Sequence, residues 1–329
     1  MAYKTNHKHM KSFIKILGVA VTALSLASCL KEDPYFDPAK SNNIVEFANS
    51  GTPALDTFPR FTADLGTLNP GESEEFNVLV SYSGPETSAP NDITVNLTID
   101  PVTLELYNDA EGKNYEVPNT SVFEAPTSIV IKKGENRATA KVIVHISPDF
   151  DYNANYALPL VITSVSDNTP ISSNFGKAIF TFAARNKYDG VYNVTGTYSD
   201  NVIGSAATSS YPKTINLVTQ GATGGGYFDP NLNGGIYGYS FKNAGSGSYY
   251  GNFAPIFYFD DAGNVSKVEN YYGQGTNPQL RSAELNPDGI NKITFNGAVP
   301  EKIEVSYWMV QGTNKRVAIT ETFTYTGAR

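Results

Sequence analysis

The chain has 329 residues, with 24 basic and 32 acidic side chains, a formal charge of −8 and one cysteine. That balance, with no basic cluster along the chain, argues against nucleic acid or an anionic membrane surface as a partner. A single cysteine excludes any internal disulfide, and three histidines leave little material for histidine-based catalysis or a zinc centre.

The first segment is basic (Lys4, Lys8, Lys11, Lys15) and precedes an apolar run from Ile16 to Ala27. A helix must carry about twenty apolar residues to cross a bilayer core, and this run is shorter. A charged region, a short apolar stretch and small residues before a cut site predict a secretory signal peptide over 1–28. Its end, Leu26-Ala27-Ser28-Cys29, resembles a bacterial lipobox. Cys29 is therefore the expected lipidation site, and more than one acyl chain gives stable anchoring. Removing 1–28 takes away four basic residues and no acidic one, so the remainder carries 20 − 32 = −12. The following Leu30-Lys31-Glu32-Asp33 resembles the signal that sends Bacteroidetes lipoproteins to the outer face of the outer membrane. The expected location is thus the outer membrane, lipid-anchored, facing the exterior. A linker rich in Pro, Asp and Ser is expected over 29–43.

From there the texture is all-β. Runs of Val, Ile, Thr and aromatic residues recur between Gly, Pro, Asn and Asp: Phe76–Tyr82, Ile93–Ile99, Ser128–Ile131, Ala138–Ile146, Leu158–Thr163 and Ala178–Phe182. Ala138 to Val144 alternates apolar with largely polar residues, as a half-buried strand does. Val102 to Asn108 is expected to make one helical turn without extending. Composition shifts near Ala184–Tyr188: fourteen of the 21 tyrosines lie from Tyr188 onward. The expected organisation is an immunoglobulin-like β-sandwich over 44–185, without the disulfide or core Trp, then a second antiparallel β-domain over 186–329, a lipocalin-like barrel or a sandwich. Hairpin turns are expected at 260–264 and at 286–289.

Five phrases carry a resemblance: Tyr107-Asn108, Tyr115-Glu116-Val117-Pro118, Ile129-Val130-Ile131 with Gly134-Glu135, Tyr156-Ala157-Leu158-Pro159-Leu160, and Asn186-Lys187-Tyr188-Asp189-Gly190-Val191-Tyr192. In order and spacing they resemble a two-domain surface lipoprotein family of Bacteroidetes polysaccharide-utilisation loci. Its N-terminal domain also precedes some endo-β-N-acetylglucosaminidases. The resemblance covers about residues 40–200 and implies surface display beside a TonB-dependent importer and capture of a glycan. It assigns no ligand residue.

Chemistry-bearing motifs are sparse. His145 sits in Val142-Ile143-Val144-His145-Ile146 and reads as a strand residue. Gly221–Gly226 lacks the Lys and Ser/Thr of a phosphate loop and reads as a flexible loop. Asp229-Pro230-Asn231-Leu232-Asn233-Gly234 spaces oxygens like an EF-hand loop, yet position twelve is Ser240 and no helices flank it. Asp149, Asp151 and Asn153 form a second oxygen-rich run that reads equally as a solvated turn, and Asp260 and Asp261 read as a solvated hairpin turn. No metal and no cofactor are expected, and no carboxylate pair is recognisable as a glycosidase motif. The aromatics are more informative. Sugar rings stack their C–H faces on Tyr and Trp while polar neighbours bind the hydroxyls. Tyr249, Tyr250, Tyr271, Tyr272 and Trp308 are the candidate ligand contacts. In an extended strand, each adjacent pair would turn one ring outward. The expected function is non-catalytic glycan binding at the cell surface. The alternatives are a structural or adhesive protein with a protein partner, a glycoside hydrolase, and an apolar ligand inside a barrel.

Overall fold

The computed structural model describes residues 41–49 and 57–329; Cys29, the signal segment and most of the expected linker lie outside them. The first region contains β1 (Ile44–Phe47), β2 (Arg60–Thr67), β3 (Ser73–Ser83), β4 (Ile93–Ile99), helix α1 (Pro101–Glu111), β5 (Phe123–Glu124), β6 (Ser128–Ile131), β7 (Arg137–His145), β8 (Tyr156–Val165) and β9 (Lys177–Arg185). They form two sheets, ordered β1-β3-β7-β5 and β2-β9-β8-β4-β6. All pairings are antiparallel except β2 with β9. Alternation puts Val142 and Val144 of β7 and Val78 and Val80 of β3 into one core, opposite Leu158, Leu160 and Phe180. His145 is a strand residue, bonded through its ring to the Ser73 hydroxyl at 2.8 Å.

Helix α1 departs from the one-turn expectation: it runs for eleven residues. Pro101 is suited to a first turn, and Gly112 closes the helix at φ 60°, a left-handed conformation that favours glycine. Leu104 and Tyr107 pack on Ala157 and Ile179, which point away from the sandwich core. That cover explains why β8 is buried on both faces from Tyr156 to Leu160.

The second region holds β10 (Gly190–Asp200), β11 (Ala207–Thr208), β12 (Lys213–Gln220), β13 (Gly224–Asp229), β14 (Ile236–Tyr237), β15 (Tyr239–Asn243), β16 (Ser246–Tyr250), β17 (Pro255–Phe259), β18 (Val265–Asn270), β19 (Arg281–Leu285), β20 (Lys292–Asn296), β21 (Val299–Gln311) and β22 (Asn314–Gly327). The main sheet runs β18-β17-β13-β12-β10-β22-β21-β19, each strand antiparallel to its neighbours. Both β19 and β20 pair with β21, so they are two pieces of one wall position. An up-and-down order of eight positions therefore curls into a nearly closed barrel, the first of the two architectures expected. The seam between β18 and β19 is held by side chains. Asn270 donates to the Arg281 carbonyl at 2.9 Å, and the Gln274 amide bonds both the nitrogen and the carbonyl of Ala283. At the other end Val265 N donates to Asn291 O and Ile293 N to Gly263 O.

Two turn expectations are corrected or refined. Residues 260–264 do join β17 to β18, with Asp260 accepting from Asn264. Residues 286–291 form no hairpin; they bulge out between β19 and β20. Pro287 has no N–H for a ladder, and Asn291 instead accepts from Ser306 N. The glycine run is also corrected: Gly224, Gly225 and Gly226 are strand residues of β13.

The two cores share no residue. Between them, buried Asn186 donates to Gly221 O and Gly224 O, and buried Asp189 accepts from Thr219 and Arg329. These bonds fix the base of the barrel to the end of β9.

Candidate ligand cleft at the far end of the barrel

Strand direction sorts the loops into two ends. The base carries the β12–β13 and β17–β18 turns. The far end carries residues 201–212, 230–254 and 271–280. There, β11, β15 and β16 form a three-stranded lid that sends Ala207, Tyr239, Phe241 and Tyr250 into the barrel core.

A cleft of about 580 Å³ opens beside this lid. Its walls are Tyr249 and Ser248 from β16, Asn231, Leu232 and Asn233 from the loop after β13, and Pro212 and Thr214 flanking Lys213. Phe241, Ser240, Asp229, Ser210 and Gly247 complete it. Tyr249 is 43 % exposed and Asn231 and Asn233 are exposed. Asp229 is buried; it accepts the Ser240 hydroxyl at 2.8 Å and Asn231 N at 3.0 Å. The oxygen-rich run at 229–234 is thus a wall of the cleft. Among the described residues no acid or histidine cluster is arranged to hold a metal.

Beneath the cleft lies a polar cluster the sequence reading missed. Lys213 points inward from β12, its ammonium 3.9 Å from the Tyr239 ring centre and 4.9 Å from that of Tyr211, donating to Ser240 O at 2.9 Å. Glu321, fully buried, accepts the hydroxyls of Tyr211 at 2.7 Å, Tyr307 at 2.6 Å and Tyr239 at 3.2 Å. Burial pushes the Lys213 amine down to about 8, against the pull of Glu321 and Asp229. Burial also raises the Glu321 carboxyl, outweighing Lys213 and the three hydroxyl donors. The signal was present in the alternation of β22: Val317, Ile319, Glu321 and Phe323 share one face, so an acid stands where the barrel interior expects an apolar residue.

The five candidate aromatics do not converge. Tyr249 lines the cleft. Its neighbour Tyr250 is turned inward and 2 % exposed, donating to Asp200 at 2.5 Å while Arg316 also holds Asp200. Tyr271 is 41 % exposed and stacks on Tyr237 at 3.8 Å and 9°. Tyr272 is half-buried, meets Tyr271 edge to face at 5.2 Å, and donates to the Tyr237 carbonyl at 2.7 Å. Trp308 lies between inward-facing Tyr307 and Met309, with the Lys315 ammonium 3.7 Å from its ring centre.

Comparison with known proteins places most of the first sandwich. Residues 46–169 match a family model described as "-like, N-terminal domain". The likeness carried by Tyr107-Asn108 through Leu160 falls within that match and is borne out there. No curated protein sequence matches the chain. Among solved structures, a Bacteroides ovatus protein of unknown function is 14 % identical, with a TM-score of 0.55 over 87 % of this chain and 95 % of that one, and shares its fold. An auxiliary nutrient binding protein from Bacteroides thetaiotaomicron is 18 % identical, with a TM-score of 0.44 over 84 % of this chain and 94 % of that one. EndoBT-3987 of the same species, solved with a Man5GlcNAc product, is 14 % identical, with a TM-score of 0.32 over 46 % of this chain and 32 % of that one.

Proposed function

We propose that the protein is a non-catalytic glycan-binding lipoprotein of the cell surface, anchored through Cys29, which holds an oligosaccharide or polysaccharide near a TonB-dependent importer. The observation that carries this reading is the composition of the cleft. One exposed ring, Tyr249, stands beside a lysine, a buried carboxylate, two exposed asparagine amides and three serine hydroxyls. A pyranose needs that combination: an apolar platform for its C–H face and mixed donors and acceptors for its hydroxyls. The size, about 580 Å³, falls within the range of small-molecule sites.

Binding is favoured over hydrolysis by the state of the acids. Asp229 is the one carboxylate among the residues lining the cleft, and it already holds Ser240 and the backbone of Asn231. Glycoside cleavage ordinarily uses two carboxyl groups across the scissile bond. Glu321 lies below, enclosed by three tyrosine hydroxyls.

The test is a glycan-array screen of residues 30–329 followed by calorimetry on each hit, with Tyr249→Ala and Asp229→Asn as variants. A saturable hit weakened about ten-fold by Tyr249→Ala supports the cleft. A blank array with correctly folded protein overturns glycan binding and favours a protein partner, to be sought among the outer-membrane proteins of the same cell. Labelling with radioactive palmitate, lost in Cys29→Ser, tests the anchor.

A further inference from the structure

Resting on the cleft reading, we infer that the ligand is an extended glycan chain, whose sugars continue out of the cleft onto a second aromatic platform formed by Tyr237 and Tyr271. The platform is built in layers on the outer barrel wall. Gly226 lies at its base. A Cβ there would stand 3.1 Å from the Tyr237 ring and 3.0 Å from the Gln220 side chain, so glycine lets the Tyr237 ring lie close against the wall without displacement. Tyr271 then stacks on Tyr237, nearly parallel. Phe228 meets Tyr237 from one side at 5.4 Å and Tyr272 meets Tyr271 from the other at 5.2 Å, both edge to face.

One face of Tyr271 is therefore covered by Tyr237 and one edge by Tyr272, yet 41 % of the residue is exposed. That exposure leaves Tyr271 open to a further stacking partner. A ring braced by two neighbouring rings and still exposed loses little freedom when a sugar stacks on it, which favours binding. Isolated aromatic exposure needs no explanation, but a stacked, braced pair does.

Continuity with the cleft comes from the loop between β13 and β14 and from Tyr272. Asn231, Leu232 and Asn233 form a cleft wall, and the same loop leads directly to Tyr237. Tyr272 donates its hydroxyl to the Tyr237 carbonyl at 2.7 Å and meets Tyr271 at 5.2 Å, so it ties the platform to the strand that this loop leads into. The donors and acceptors belong to the cleft and the stacking surface beyond it is apolar. That division suits a polymer whose specificity is read at one or two sugars and whose neighbours add affinity by stacking.

The experiment uses affinity electrophoresis through gels containing starch, xylan, mannan or pectin, then calorimetry with a graded oligosaccharide ladder cut from whichever polymer retards the protein. The expected result is affinity that rises with chain length. Tyr271→Ala should leave the shortest bound oligosaccharide unaffected and weaken the longest about ten-fold, the size of one stacking contact. Tyr249→Ala should weaken every length. Equal affinity across the ladder, or a Tyr271→Ala variant indistinguishable from the parent at every length, overturns the platform and leaves the cleft standing. No retardation by any polymer, together with a blank array, removes both. Circular dichroism and a melting curve on Tyr271→Phe and Tyr271→Ala separate lost stacking from lost fold, since Tyr271→Phe should keep the length dependence.

Discussion

Lys213 is the residue on which the far end of the barrel turns. Its ammonium is enclosed by tyrosine rings and, among the described residues, forms no ion pair within 4 Å. Its pKa falls from 10.5 to about 8 because burial disfavours the charged form. Between those values the unfolded chain holds more protons than the folded one, so stability rises with pH across that window. The rise is a fraction of the ~1.4 kcal/mol per pH unit that one full proton difference allows, because the side chain is partly exposed. The buried tyrosines act in the opposite sense. Tyr227, Tyr239 and Tyr307 keep their protons in the fold well above 10, whereas the unfolded chain releases them there, so stability falls as pH climbs past 10. Urea titrations from pH 7 to 11 should show stability climbing above pH 8 and turning down beyond 10. Lys213→Met should flatten the climb and keep the downturn. A parent profile that falls monotonically from pH 8 would show that Lys213 is not held as described.

Elements were legible where a period was strong. The strands of the first sandwich follow the runs of Val, Ile and Thr, and the Asp260–Asn264 turn follows its Gly and Asn. Helix α1 is longer than the single turn expected over Val102–Asn108, and its length was not legible because its sequence, Pro-Val-Thr-Leu-Glu-Leu-Tyr-Asn-Asp-Ala-Glu, has no continuous apolar stripe: Leu104 and Tyr107 face Ala157 and Ile179, while Val102 and Leu106 are exposed. Tertiary packing, not periodicity, stabilises it. The bulge at 286–291 was misread because Pro-Asp-Gly is a turn signal whether the chain reverses or merely steps out of a strand. Of the candidate aromatics, the exposed member of each tyrosine pair was deducible in kind but not in identity, since register decides which ring turns inward. Burial of Leu104 carries a prediction. Leu104→Ala should cost about 2–5 kcal/mol in chemical denaturation, because it opens a cavity between the helix and β8. Val102→Ser, at a position 59 % exposed, should change stability by under about 0.5 kcal/mol. Equal losses at the two positions would mean that the helix is not docked through its Leu104 face.

At the scale of the whole molecule, strand direction fixes where the cleft points. Ile44 pairs with Ser83, at the end of β3 remote from the barrel, whereas Ser73 pairs with His145 at the barrel end. The chain thus enters the sandwich at one extremity, reaches the barrel base at the other, and carries the cleft at the far mouth of the barrel. Under the proposed Cys29 anchor, both domains separate the cleft from the membrane, which suits capture of a polymer from outside. That display depends on the junction staying stiff. Asn186 and Asp189, both buried, tie the segment between β9 and β10 to the end of β12 and the β12–β13 turn, and Asn153 of the sandwich accepts from Gly221 N at 2.9 Å. Tyr188, the residue after Lys187, is buried and stacks on Phe259 at 4.2 Å. In the double variant Asn186→Ala with Asp189→Ala, the buried Gly224 carbonyl loses a partner, at about 1–3 kcal/mol for a buried group left unsatisfied, while the part-exposed Gly221 and exposed Arg329 turn to water. Trypsin should then cut after Lys187 and release two fragments, each keeping β-sheet circular dichroism, while the parent resists at that bond. If the variant and the parent are cleaved at the same rate, the junction is held by other contacts and the stiffness of the display does not rest on these two side chains.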